Sequence, residues 1–146
     1  MSSQTLGIII GGLIPGVLFG VSNVLVKFAT QKGIALPLYL VITGVAVMTV
    51  GIVLFFFLPE REISTSAGSI AFVGGLVWAL GMTCIVIALQ KYAASISVLT
   101  PLFNLNTLIA VAIGLWVFSE WQTVRVPQLL IGSVFIVIGG TLVARA

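Results

Sequence analysis

The stretch YAASISVLTPLFNLNTLIAVAIGLWVFS, residues 92–119, decides the fold. It contains no charged residue, and Leu, Ile, Val, Ala and Phe dominate it. A membrane-crossing helix takes about 20 such residues. Near its middle, however, the stretch reads TPLFNLN (100–106), with Thr100, Pro101, Asn104 and Asn106. An unpaired polar group is expensive in hydrocarbon, so this segment demands partner groups or water.

The rest of the chain has the same character. Of its 146 residues, 60% are hydrophobic and 6% charged, and the mean hydropathy is +1.33. Soluble domains carry roughly 25% charged residues, and a soluble fold of this size has too little interior for so much apolar surface. The sequence therefore describes an all-α integral membrane protein. Six basic residues stand against three acidic ones and are scattered singly, which excludes a nucleic-acid patch and marks them as topology signals. Cys84 is the only cysteine and there is no histidine, so neither a disulfide nor a cysteine-built metal site is expected.

Charges divide the sequence into five uncharged blocks, and helices are expected near residues 5–28, 36–58, 68–90, 95–118 and 127–143 of a single 1–146 transmembrane domain. Turn and cap residues occupy the joints: Gly33 and Pro37, then Pro59 with Ser64–Ser66, then Ala93-Ala94-Ser95, then Glu120–Pro127. The N-terminus has no basic region before its apolar run, so the first segment is expected to be retained rather than cleaved. Lys27, Lys32, Lys91 and Arg145 fall on one side, Arg61 and Arg125 on the other. Four against two favours an outside N-terminus by a small margin, and a bias this small is compatible with insertion in both directions.

Small residues mark close helix contacts in lipid. Gly12, Gly16 and Gly20 share a face of the first helix, which Asn23 and Lys27 extend, and Gly132 and Gly140 repeat the pattern in the fifth. This face reads as helix packing or as the wall of a cavity with Asn23 at its polar end. In the fourth helix Ser97, Thr100, Asn104 and Thr107 share a face and Asn106 points almost the opposite way. Serine and threonine can return their hydroxyls to the backbone, whereas asparagine needs a partner helix, water or a ligand. Pro101 frees a carbonyl near Ser97 and implies a kink. Two readings follow: a structural kink with interhelical hydrogen bonds, or a polar pathway. Asn23, Trp78, Thr100, Asn104 and Asn106 are the candidate substrate-lining residues, with Pro101 shaping the bend. No acidic, histidine or arginine side chain lies deep in a helix, and no nucleophile–base pair or phosphate loop is present. Enzymatic activity and a cofactor are not expected.

The segments ALQKYAAS (88–95), SVLTPLFNLNTLIAV (97–111) and FSEWQTVRVPQLLIGSVFIVIGG (118–140), together with GVLFGVSNVLVKFA (16–29), resemble the EamA repeat of the drug/metabolite transporter superfamily. The likeness rests on Tyr92, Pro101, Phe103, Glu120, Gln128, Gly132 and Gly139, and on five helices in order. It implies a five-helix bundle equivalent to one inverted-repeat unit of a ten-helix transporter fold. It further implies a secondary transporter subunit that moves a small polar or amphipathic metabolite by alternating access. Such a half-length chain is expected to pair with an antiparallel copy of itself or with a second five-helix subunit. The expected setting is a bilayer, the inner cell membrane if the source is bacterial. The related four-helix small multidrug resistance proteins use a glutamate in the first helix; this chain has none there, and it has a fifth helix. A non-transporting accessory or assembly subunit is the alternative.

Overall fold

A computed structural model describes residues 3–143 and 145. Among these residues the structure is helical and contains no strand. Helix α1 (Ser3–Ile8) runs through a π-helical turn (Ile9–Leu13) into α2 (Ile14–Gln31). Then follow α3 (Leu36–Phe57), α4 (Thr65–Lys91), α5 (Ile96–Phe103), α6 (Asn106–Val117), a 3₁₀ turn (Glu120–Gln122) and α7 (Val126–Val143). These compose five helices long and apolar enough to cross a membrane: Thr5–Gln31, Leu36–Phe57, Thr65–Lys91, Ile96–Val117 and Val126–Val143. The architecture fits a multi-pass membrane protein.

The joints form as their residues dictate. Gly33 adopts φ +84, donates its N–H to the Thr30 carbonyl at 3.1 Å, and is followed by an Ile34 N–H directed to Ala29 at 3.4 Å. This pair of bonds is a Schellman cap, whose left-handed residue is ordinarily glycine. Pro37 opens α3, where its missing N–H costs nothing. Ser64 caps α4, its hydroxyl accepting from the Ala67 N–H at 3.1 Å. Arg61 folds back onto the end of α3, 4.5 Å from the Phe55 ring centroid. Ala93 and Ser119 reach the left-handed region without glycine, at φ 50 and 55.

The chain divides into two compact units, residues 1–93 and 94–146. In the first, α2 and α3 each pack on α4. Its buried apolar residues are Val26, Tyr39, Val86 and Leu89. They gather where α2 ends, α3 begins and α4 ends, and the Gln90 amide ties that place together by donating to the Ile34 carbonyl at 2.6 Å. In the second unit α5 packs on α7. Gly140 allows this approach: a methyl added there would lie 3.3 Å from the Leu105 side chain and 3.9 Å from the Pro101 carbonyl oxygen.

Two spans depart from regular α-helix: the first, expected as a continuous helix, and the fourth, in which Pro101 implies a kink. The first contains the π turn, in which the Ile14 N–H reaches back five residues to Ile9. Pro15 is the cause: it has no N–H for the Gly11 carbonyl, and its ring crowds that carbonyl, so the preceding turn widens. The fourth span breaks at Asn104–Leu105, between α5 and α6. Its last turn tightens there, with Leu105 donating to Leu102 and Thr107 to Asn104, each at 3.1 Å.

Candidate functional site

The break in the fourth span positions its polar residues. Pro101 leaves the Ser97 carbonyl without its usual donor, and the helix then stops one turn further on. At the stop, the Asn104 carbonyl accepts twice from Thr107, from its N–H at 3.1 Å and its hydroxyl at 2.9 Å. That double bond holds the start of α6 in place.

Several hydroxyls elsewhere in the spans are satisfied locally. Thr43, Thr49, Ser69, Thr83, Ser133 and Thr141 each donate to a carbonyl four residues earlier, at 2.8–3.0 Å. The amides behave otherwise. Among the described residues, the Asn104 and Asn106 side chains form no hydrogen bond, and both are exposed. The Thr100 hydroxyl forms none either and is half-buried. The second unit therefore presents three unspent polar side chains within seven residues, flanking a backbone break.

Asn23 and Trp78 belong to the first unit. Asn23 is half-buried on α2, one turn before Lys27, and Trp78 is half-exposed near the middle of α4. The candidate residues thus fall in two separate groups, one in each unit.

The glycine faces are open. A methyl added at Gly12, Gly16, Gly20 or Gly132 would meet no atom within 4 Å. Gly114 differs: it is buried beneath the Glu120 side chain, whose carboxylate oxygen lies 2.7 Å from where a methyl would sit. Among the described residues, no cluster of three His, Cys, Asp or Glu side chains could hold a metal ion.

Two features escaped the sequence reading. The π turn had a signal in Pro15, four residues after Gly11, in a segment read only for its glycine spacing. The Gln90 tie to Ile34 spans 56 residues, and no local pattern announces such a bond.

No family model matches the chain, and neither the curated proteins nor the solved structures include a significant match. The class rests on the fold itself: five apolar, membrane-length helices of a multi-pass protein.

Proposed function

We propose that the protein is a subunit of a secondary transporter, moving a small polar or amphipathic metabolite by alternating access as a dimer. The observation that carries this reading is the broken fourth span, with Thr100, Asn104 and Asn106 unspent beside it. Irregular backbone at membrane depth persists only inside protein or beside a wet cavity, and transporters place substrate sites at such discontinuous helices. The resemblance to the EamA repeat read from the sequence points the same way. In this reading the asparagines and Thr100 of the second unit hydrogen-bond the substrate, while Asn23 and Trp78 are candidates within the first unit, Trp78 as an apolar or cation–π surface. Five crossings place the two ends of the described helices on opposite sides. An inverted copy, or a second five-helix chain of opposite orientation, then completes the enclosure as an inverted repeat.

The test is uptake by proteoliposomes of a panel of radiolabelled amino acids, nucleosides and sugars. At least one is expected to accumulate, and Asn104→Leu should cut that uptake about tenfold, the worth of one neutral hydrogen bond, at equal reconstituted protein. The second reading, a non-transporting assembly subunit, draws support from the open faces at Gly12, Gly16, Gly20 and Gly132. It prevails if no solute accumulates, or if Asn104→Leu is lost from the membrane.

A further inference from the structure

The first unit holds a cleft that the transport reading does not use. It has a volume of about 390 Å³ and lies between the α2–α3 joint and the end of α4. Lys27, Thr30, Gln31, Ile34 and Gln90 line it, over Leu89. Lys27 is half-buried and Leu89 is buried, so the cleft has an apolar floor and a cationic wall. Lys32 stands between two lining residues and Lys91 follows a third. The C-terminal ends of α2 and α4 contribute negative dipole charge here, about half a unit each. The Lys27 ammonium opposes that at the cleft wall itself.

We propose that this cleft binds the phosphate-bearing headgroup of an anionic membrane lipid. The cleft lies at the ends of membrane-length helices, which is headgroup depth. Phe28, next to Lys27 on α2, and Leu38, in the first turn of α3, are exposed and apolar, a surface for the acyl chains. Basic pockets between spans on the lysine-rich side recognise headgroups in this way. Lys27 pairs with the phosphate, while the Gln31 amide, and the Gln90 N–H not spent on Ile34, offer donors to its remaining oxygens or to the glycerol. The site is independent of the broken fourth span, and its test reads binding rather than transport.

The full-length protein, delipidated in detergent, is titrated with dioleoyl phosphatidylglycerol or dioleoyl phosphatidylcholine and followed by native mass spectrometry. Phosphatidylglycerol should be retained in preference. Lys27→Gln should weaken its retention about fivefold, the worth of one ammonium charge near a lipid surface, while Lys27→Arg should keep it. Lys32→Gln, at an exposed position, should change it less than twofold. Circular dichroism confirms equal helix content in each variant. Equal retention of the two lipids overturns the proposal, as does an equal loss from Lys27→Gln and Lys32→Gln, which marks diffuse attraction. Release of phosphatidylglycerol by millimolar inorganic phosphate also overturns it, in favour of a soluble-anion site.

Discussion

A single residue, Gly33, ends the first span. Its φ of +84 is one that a side chain adopts only at a cost, and nothing crowds the position, so Gly33→Ala isolates the backbone term. The substitution should cost about 1 kcal/mol, lowering the midpoint of thermal unfolding in detergent by about 3 °C. The polar residues of the spans divide on a similarly local rule. A hydroxyl reaches a carbonyl of its own helix and is satisfied there, as six serines and threonines are. An asparagine does not complete its hydrogen bonds that way, and Asn104 and Asn106 are left open. The contrast is chemical: the amide has two donors and an acceptor on a short stem.

At the scale of the element, Pro101 and Pro15 have different outcomes from the same missing N–H. Pro15 follows Gly11 and Gly12, and the chain there widens into a π turn while remaining helical. Pro101 is followed by a tightened turn and a break. Pro101→Ala restores a donor to the Ser97 carbonyl and should join α5 to α6. Spin labels at residues 97 and 115 would then report a longer and narrower distance distribution by electron–electron resonance; an unchanged distribution assigns the break to Asn104–Leu105 alone. Much of this level was legible beforehand. The charge boundaries place all five spans, because a charged side chain is costly enough in lipid to act as punctuation. The kink was foreseeable from Pro101, since proline acts on its own helix. Its position at Asn104–Leu105 was not, because Gly140 of α7 seats Leu105 from across the second unit. The candidate residues were legible as residue types, because Asn104 and Asn106 cannot complete their hydrogen bonds within their own helix; that Asn23 and Trp78 belong to a different compact unit was marked by no periodicity.

For the whole molecule the orientation of the five candidate spans bears on the proposed pairing. Single cysteines placed by Ser3→Cys and Thr65→Cys in a Cys84→Ala background, labelled in intact cells with an impermeant thiol reagent, measure it. Partial labelling at both positions is expected for an antiparallel pair of identical chains. Full labelling at residue 3 with none at residue 65 establishes one orientation and calls for an inverted partner chain. The buried cluster of the first unit has a consequence for timing. Val26 and Tyr39 belong to the first two spans, but Val86 and Leu89, against which they close, come at the end of the third. A ribosome needs roughly 3–10 s to add the intervening stretch of about 50 residues. During that interval the first helical pair stands in the bilayer without its lock, held by lipid alone, and a chaperone or insertase can engage it before the third span arrives.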